Sequence, residues 1–387
     1  MKLKKSVDIL IIRTAPCGYD SRVSKFLFHY NKIGETVALT CLSREQKCAR
    51  QSSVRNIHKS FNQLNFNHLP FLLTVALINK IFWKFHRIYL AIEFITNSLK
   101  ISLYWRPKII HCTDLDGYLI AKVAFPFNKK KIFEVYDPWQ TMTTKIRIKK
   151  IENKAFLNAK VLVMPAADSR IKVNREKITS FSNFMDPGLA DLLLQDADID
   201  DDFVRRIESL KPYIISGGII SKDTKIIELT EMMSCQNSLN LIITNELKNL
   251  TNLKFSNIPM NVHFISKQKW SKWLYLVKNS NAVWIYYSPN NNHFASHISP
   301  NKYWEALLFE KPILISRKSQ FCDRSPLEGK LYELEDNFEL RLKLALAEIA
   351  SVNFTFTENN DTRKRILNTM QNDRTKKVEK ILNWVRK

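Results

Sequence analysis

The C-terminal half contains a short stretch whose residue types suit a ligand with phosphate and hydroxyl groups. It reads SHISPNKYWEALLFEKPILIS from residue 296. Ser299, followed by proline, is typical of a helix start. Asn301 and Lys302 then lie where the N-terminal end of a helix favours a phosphate group. Glu305 comes one turn later, and its carboxylate can accept hydrogen bonds from sugar hydroxyls.

The same stretch predicts its own local structure. Trp304, Leu307 and Leu308 follow the i, i+3, i+4 spacing of an apolar helix stripe, and Glu305 lies outside that stripe. Pro312 ends the helix, and the apolar run ILI after it suits a short buried strand. We therefore expect a capped helix whose carboxylate points away from the buried side.

A pair of glycines earlier in the same half is a second candidate for phosphate binding. Gly217 and Gly218 end the segment PYIISGG, and glycine allows backbone N–H groups to come close to a phosphate. Lys222 follows and would add positive charge for a diphosphate. A plain turn with solvated surface lysines would leave the same sequence, so both interpretations are open.

Polar loops in the N-terminal half carry candidate acid, base and ligand groups. His111 and Asp114 follow the apolar run PKII, where groups for general acid–base catalysis belong, although His111 could equally be a structural histidine at a strand end. Asp20 and Arg22 follow the first apolar run and could instead form a local ion pair at a helix start. Asp137 follows the run KKIFEVY and could simply terminate a strand.

Alternating apolar runs and helical patterns predict the elements that position these residues. Strands are expected near residues 7, 36, 108, 131, 160 and 178, and a second series begins with PYIISGG. This alternation is typical of parallel sheets. We predict an α/β fold of two doubly wound, Rossmann-like domains that face each other across a cleft. We expect an N-terminal domain at residues 1–190, an acidic linker at 191–210 and a C-terminal domain at 211–360. A final helix at 361–387 is expected to return to the N-terminal domain.

No sequence pattern indicates a bound metal. The acidic run LLLQDADIDDDF in the linker lacks the fixed glycine and terminal glutamate of a calcium loop, which favours a solvated linker with a short helix. The six cysteines are scattered without C-x-x-C spacing. That usage is typical of reduced thiols in a cytosolic protein and argues against a zinc site.

The net charge of +23 and the pI of about 9.7 predict an anionic partner. No nucleic-acid-binding module is visible, so a membrane surface or a phosphorylated ligand is favoured. Residues 69–106 are apolar, aromatic and interspersed with Lys and Arg, which suits core helices or an amphipathic surface on an anionic membrane. The uncharged stretch at residues 65–79 is shorter than the ~20 apolar residues that span a bilayer, so no transmembrane helix is expected.

In chain order, these segments resemble the retaining, GT4-type glycosyltransferases (glycosyl transferases group 1) of the GT-B fold. SPNKYWEALLFEKPILIS is similar to that family's donor-site signature, and YDSRVSKFLFHYNKIGETVALT to its first loop and helix. PKIIHCTDLDGYLIA, KIFEVYDPW and PYIISGGI are similar to further strands of the two domains. The GxGxxG, HExxH, nucleophile-elbow and Walker patterns of other enzyme classes do not occur.

The resemblance implies that a nucleotide sugar binds mainly to the C-terminal domain and the acceptor to the N-terminal domain. It also implies that no cofactor is bound and that no metal is needed. The donor-binding positions that it implies are Asn301, Lys302, Glu305, Ser216, Gly217 and Gly218, and the local patterns above add Ser299 and Lys222 to the expected donor side. The implied catalytic positions are Asp114, His111 and His297. The implied acceptor-side positions are Asp20, Arg22 and Asp137.

Two residues depart from the family pattern. His297 stands where a glutamate usually contacts the transferred sugar, and Glu310 stands where a glycine usually precedes Lys-Pro. The first departure bears on the stereochemical outcome.

The activity that the resemblance implies is a retaining, hexosyltransferase-like transfer from a nucleotide sugar to a glycan or lipid-linked acceptor. Such transfer would serve bacterial surface polysaccharide or lipopolysaccharide synthesis in the cytoplasm, peripherally on the inner face of the plasma membrane. A UDP-sugar 2-epimerase of the same fold and a catalytically inactive assembly partner are the alternatives.

Overall fold

The chain divides into two compact units. The first is Met1–Phe181 together with Asp373–Lys387, and the second is Ser182–Asn372. The computed structural model describes residues 7–13, 21–41, 62–65, 95, 106–136, 145–164, 178–196, 199–218, 222–245, 258–288, 300–318, 327, 329–351 and 360–387.

The first unit is built on a parallel sheet of short strands. These strands are β1 (Ile9–Ile12), β2 (Val37–Cys41), β3 (Asn62–Asn65), β4 (Ile109–Thr113), β5 (Lys131–Glu134), β6 (Val161–Met164) and β7 (Ile178–Ser180). They pair in the order β3-β2-β1-β4-β5-β6-β7. The order reverses between β1 and β4, so the carboxyl ends of these two strands form a switch point, where doubly wound sheets bind ligands.

Apolar side chains alternate between the two faces of this sheet. The helices that cover it are α1 (Ser21–Lys32), α2 (Asp114–Ala124) and α3 (Ile146–Asn158). Leu10 and Ile12 point toward α2 and α3, whereas Ile9 and Ile11 point toward α1. A continuous apolar run such as ILII therefore forms a strand that is buried on both faces.

The second unit repeats this plan. Its strands are β8 (Tyr213–Gly217), β9 (Asn240–Asn245), β10 (Val262–Ser266), β11 (Ala282–Ile285), β12 (Ile313–Ile315) and β13 (Leu331–Glu333). They are parallel in the order β10-β9-β8-β11-β12-β13, with the switch point between β8 and β11. The helices are α4 (Pro187–Leu194), α5 (Asp201–Glu208), α6 (Ile226–Met233), α7 (Trp270–Asn279), α8 (Asn301–Leu308), α9 (Phe338–Ser351) and α10 (Asn360–Arg386).

The division between the units falls after Phe181, nine residues before the expected boundary at 190. The reason is α4, which packs against α7 and buries Leu189 and Leu193 within the second unit. The acidic run that was expected to be a linker also belongs to this unit. The side chain of Asp200 accepts a hydrogen bond of 2.8 Å from the backbone N–H of Phe203 and thereby caps α5.

The final helix contributes to both units along its length. Its residues up to 372 count with the second unit, and Asp373–Lys387 count with the first. Val378, Ile381, Leu382 and Val385 are buried in the first unit, in the same core as α1. The apolar spacing along a helix that is otherwise basic explains this packing.

Some sequence expectations need correction, and others fall outside the described residues. The strands β3 and β13 were not expected, because their sequences, NQLN and LYE, contain no run of apolar residues. The helix α8 begins at Asn301, so proline 300 occupies its N-cap rather than its first position. Apart from residues 95 and 106, the stretch 69–106 is not described. No helix among the described residues has the length and apolar character that a membrane span requires.

Candidate functional site

The switch point of the second sheet contains the two glycines that the sequence singled out. Gly217 is the last residue of β8, and Gly218 follows with a φ of +84°. A Cβ atom on Gly217 would lie 2.5 Å from both Thr244 Oγ1 and a ring carbon of Trp273. Only glycine therefore fits at position 217, and the positive φ favours glycine at 218.

Lys302 joins this glycine pair from the first turn of α8. Its Nζ donates a hydrogen bond of 2.6 Å to the carbonyl oxygen of Gly217 and lies 5.6 Å from the centre of the Tyr287 ring. A Cβ atom on Gly218 would lie 3.5 Å from the same Nζ. The structure thus brings together a lysine, a glycine turn and a helix N-terminus, three groups that suit a diphosphate.

Glu305 is buried, contrary to its expected position off the buried side of α8. Its exposed fraction is 2%. Trp270 Nε1 donates a hydrogen bond of 2.8 Å to Oε1, and Trp273 Nε1 donates one of 2.7 Å to Oε2. These two N–H donors explain how a carboxylate can be buried, because a buried acceptor without a partner is costly.

The two tryptophans were missed by sequence reasoning. They occur in the segment KWSKWLY, three residues apart on one side of α7. Two indoles at i, i+3 spacing on a helix present their N–H groups to the same neighbour. That spacing was the available signal for a buried acceptor nearby.

The structure describes only some of the other donor-side candidates. Asn301 is the first residue of α8, and Lys222 begins a short 3-10 helix that precedes α6. Ser299 and His297 lie outside the described residues. Among the residues that are described, no three His, Cys, Asp or Glu side chains are close enough to hold a metal ion.

The switch point of the first sheet contains an ion pair. Arg13 follows β1, and its Nη1 lies 2.5 Å from Oδ2 of Asp114, the first residue of α2. The other carboxylate oxygen of Asp114 accepts a hydrogen bond of 3.1 Å from the backbone N–H of Tyr136. Asp114 has a φ of +59°, a backbone conformation that costs energy in a residue other than glycine.

Burial raises the pKa of Asp114 to about 6, and the positive charge of Arg13 opposes this rise. A carboxyl group with a pKa near neutrality can both accept and donate a proton, which is the property of a general acid or base. Asp114 therefore combines position, strain and a shifted pKa at the carboxyl end of β4.

Two guanidinium groups surround the Asp114 site. The guanidinium carbons of Arg13 and Arg22 lie 4.4 Å and 4.3 Å from the centre of the Tyr136 ring. Sequence reasoning found Arg22 but missed Arg13 and Tyr136, which lie in the polar positions just after β1 and β5. Asp20 and Asp137 lie outside the described residues.

His111 lies in the core of the first unit. It is fully buried in β4, where its Nδ1 is 3.0 Å from the hydroxyl of Tyr30 and its Nε2 is 3.2 Å from Oε2 of Glu134. The ring of Phe26 packs edge-on against it. Because β4 continues to residue 113, His111 lies inside the strand and away from the Asp114 carboxylate. Of the two roles that the sequence left open, its placement matches the structural one.

Comparison with known proteins gives a likeness in structure only. No family model and no curated protein matches the chain. Anabaena Alr3699/HepE in complex with UDP-glucose has a TM-score of 0.55 and 11% identity, over 98% of each chain. The UDP-GlcNAc 2-epimerase of Methanocaldococcus jannaschii, in complex with UDP-GlcNAc and UDP, has a TM-score of 0.52 and 12% identity, over 94% of this chain and 99% of its own.

A further UDP-GlcNAc 2-epimerase, from Neisseria meningitidis and bound to UDP-GlcNAc, has a TM-score of 0.53 and 14% identity, over 88% of this chain and 91% of its own. At such low identities these likenesses establish the fold. The expected fold class, two doubly wound parallel-sheet α/β domains of the GT-B type, is confirmed.

Proposed function

We propose that the protein is a glycosyltransferase that moves a sugar from a nucleotide sugar to a glycan or lipid-linked acceptor. The observation that supports this proposal most directly is at the switch point of the second sheet. There Lys302 donates a hydrogen bond to the carbonyl oxygen of Gly217 and lies next to Gly218. The similar structures of Anabaena, M. jannaschii and N. meningitidis proteins, each with a UDP-sugar bound, support a nucleotide sugar as the ligand class.

In this proposal the second unit binds the donor. The backbone at Gly218, the N-terminal end of α8 and the Lys302 ammonium bind the diphosphate and stabilise the charge that develops on it as it leaves. Glu305, oriented by the two indoles, accepts hydrogen bonds from hydroxyls of the donor. Asn301, Ser299 and Lys222 complete the donor side.

The first unit would bind the acceptor and assist the chemistry. Asp114 is the group suited to proton transfer, because its pKa of about 6 lies close to neutral pH. Arg22 belongs to the acceptor side, together with Asp20 and Asp137. His297 remains a proposed catalytic position, whereas His111 would act only by supporting β4. The acceptor class, a retaining outcome and a role in bacterial surface polysaccharide or lipopolysaccharide synthesis at the inner membrane face rest on the resemblance alone.

A second candidate function is that of a UDP-sugar 2-epimerase. The observation that favours it is the likeness to the M. jannaschii and N. meningitidis enzymes, at TM-scores close to that of the Anabaena protein. The two reactions differ in their products. A transferase releases UDP and forms a new glycoside on an acceptor, whereas a 2-epimerase converts UDP-GlcNAc to its 2-epimer without an acceptor.

The experiment that separates these functions follows both products at once. The protein is incubated with labelled UDP-glucose or UDP-GlcNAc, with and without bacterial membrane lipid as acceptor. We expect acceptor-dependent transfer of label into lipid or glycan, equal release of UDP, and loss of both in Glu305→Ala. Formation of an epimer without acceptor would establish the second candidate instead. Failure to consume either nucleotide sugar would favour an inactive assembly partner.

A further inference from the structure

The outer side of α2 exposes large apolar side chains that the proposed reaction does not use. Leu119 and Val123 lie on the side of the helix that faces away from the sheet, four residues apart. Phe127 follows in the turn after the helix and is 95% exposed. Isolated exposed apolar residues are common, but three within residues 119–127 concentrate exposed apolar surface in and just after α2.

The outer side of α3 has the same character. Ile146, Ile151 and Leu157 are exposed, whereas Ala155 and Phe156 face the core. On a helical wheel the exposed Lys150 lies opposite the core, and Ile146 and Leu157 lie beside it on one flank. This is the mixed apolar and basic pattern of a helix that lies in a membrane interface.

The two helices share one side of the first unit. Ile120 and Ala121 of α2 and Ala155 and Phe156 of α3 belong to a single core cluster on one face of the sheet. Their outward sides therefore face in the same direction. We call this outward surface, residues 119–130 and 145–160, the α2–α3 surface.

The α2–α3 surface is basic without acidic compensation. Residues 119–130 contain the exposed Lys122, Lys129 and Lys130. Residues 145–160 contain Lys145, Arg147, Lys149, Lys150, Lys154 and Lys160. The only acidic residue in these two segments is Glu152, and it is buried. All the exposed charge on this surface is thus positive.

We propose that the α2–α3 surface docks on an anionic lipid bilayer. Positive side chains bind the lipid headgroups, and the exposed apolar side chains enter the boundary between headgroups and acyl chains. A nucleic acid would satisfy the charge but would leave Phe127 and Leu157 without a function. The inference rests on the proposed function only in that a lipid-linked acceptor gives the docking a purpose, because docking itself needs no substrate.

The test measures flotation of the whole protein with vesicles of phosphatidylcholine, alone or mixed with phosphatidylglycerol, at low salt. We expect binding to the mixed vesicles only, and a loss of about tenfold or more in the double variant Phe127→Asp, Leu157→Asp. The matched control is Met260→Asp, Leu344→Asp in the second unit. Its positions are 99% and 62% exposed, against 95% and 63% for the test pair, and it should bind like the wild type.

A second pair of variants tests the charge. Lys150→Glu with Lys154→Glu should weaken binding, whereas Lys278→Glu with Lys343→Glu, exposed in the second unit, should not. Equal binding by test and control variants would overturn the proposal, as would salt-sensitive binding to duplex DNA without vesicle binding. UDP affinity is measured on the same samples. Vesicle binding without UDP binding would contradict the proposed function alone. UDP binding without vesicle binding would contradict only the docking proposal.

Discussion

Asp114 is the residue in which several unfavourable features meet. Its carboxyl group is largely buried, its backbone has a positive φ, and its charge depends on Arg13 and on the backbone N–H of Tyr136. Such costs persist only where the surrounding structure enforces them, and they cluster at functional sites. The hydroxyl of Thr113 adds to this enforcement by donating a hydrogen bond of 3.1 Å to the carbonyl oxygen of Ile12.

The raised pKa of Asp114 makes a prediction about stability and pH. The pKa rises from 3.8 in the unfolded chain to about 6 in the folded protein, so the folded state binds the proton more tightly. Relative to Asp114→Asn, the wild type should be most stable below pH 4 and should lose stability as the pH rises to 6. The expected decrease in the free energy of unfolding, relative to Asp114→Asn, is about 3 kcal/mol at most.

Urea unfolding of both proteins between pH 4 and pH 8 checks this prediction. The difference between their unfolding free energies should change only in the window set by the two pKa values of Asp114, 3.8 and about 6. A difference that stays constant across that window would contradict the burial of an ionisable carboxyl at this position.

Trp273 provides a test of the buried carboxylate in the second unit. Trp273→Phe keeps an aromatic ring against Gly217 but removes the N–H that Glu305 Oε2 accepts. A buried acceptor without its donor should cost about 1–3 kcal/mol of unfolding free energy. Tyr275→Phe on the same helix is the control and should change stability by less than about 0.5 kcal/mol, because its hydroxyl makes only a long, exposed hydrogen bond of 3.5 Å to Glu208. Equal stability of both variants would contradict the hydrogen bond.

At the scale of elements, the end of α8 explains why Glu310 can replace a glycine. Glu310 has a φ of +56°, the left-handed conformation that favours glycine after a helix. Arg363 of α10 is buried, its Nε lies 2.6 Å from Glu310 Oε1, and its guanidinium also donates to the carbonyl oxygen of Leu307. The ion pair and the satisfied carbonyl offset the backbone strain.

Two substitutions separate these contributions. Arg363→Met should destabilise the second unit by about 1–3 kcal/mol, because both Glu310 and the Leu307 carbonyl lose their partner. Glu310→Gly should lower the unfolding free energy by about 1 kcal/mol less than Arg363→Met does. Both variants lose the ion pair, but glycine also relieves the strain of the positive φ. Thermal unfolding monitored by circular dichroism checks the ranking. A larger loss in Glu310→Gly than in Arg363→Met would contradict this account of the α8 end.

The sequence was informative where a single local pattern decides the structure. The run ILII predicted β1, and PYIISGG predicted β8 with its glycine turn, because a short apolar run between turn residues has few alternatives to a buried strand. The sequence was uninformative where backbone pairing decides. The strand β3 has the polar sequence NQLN and pairs in parallel with β2, and no apolar sequence pattern marks it as a strand.

The candidate site shows the same limit. Lys302 and Gly218 are 84 residues apart in the sequence. Even so, the local sequence around each residue indicated a possible phosphate-binding role. The burial of Glu305 depends on indoles from α7, a contact between elements that helical spacing within α8 cannot reveal. The burial of His111 likewise depends on neighbouring elements, because it lies inside β4, which continues to Thr113.

At the scale of the whole molecule, the two units have the same plan but different chemistry at their switch points. The first has Arg13 and Asp114 at the ends of β1 and β4, and the second has a glycine turn with Lys302 at the end of β8. A charged, titratable pair suits proton transfer, and a glycine turn with a lysine suits phosphate. This difference in side-chain chemistry is the physical basis for proposing that the second unit binds the donor and the first unit the acceptor.

The net charge of +23 also takes on a more specific meaning at this scale. Within the described residues, one contribution is a single-sign surface on α2 and α3, and another is Lys302 at the candidate donor site. The first suits an extended anionic surface and the second a compact anionic ligand. We therefore attribute the net positive charge to two proposed binding roles.

Calorimetric titration with UDP and with uridine, on the wild type and on Lys302→Met, tests the central claim most directly. A charge-assisted bond to the diphosphate should make the wild type bind UDP well and make the variant weaker for UDP by about tenfold. The affinity for uridine, which has no phosphate, should be the same in both proteins. A wild type that binds no UDP, or a variant that binds UDP as tightly as the wild type, would contradict the assignment of the donor site.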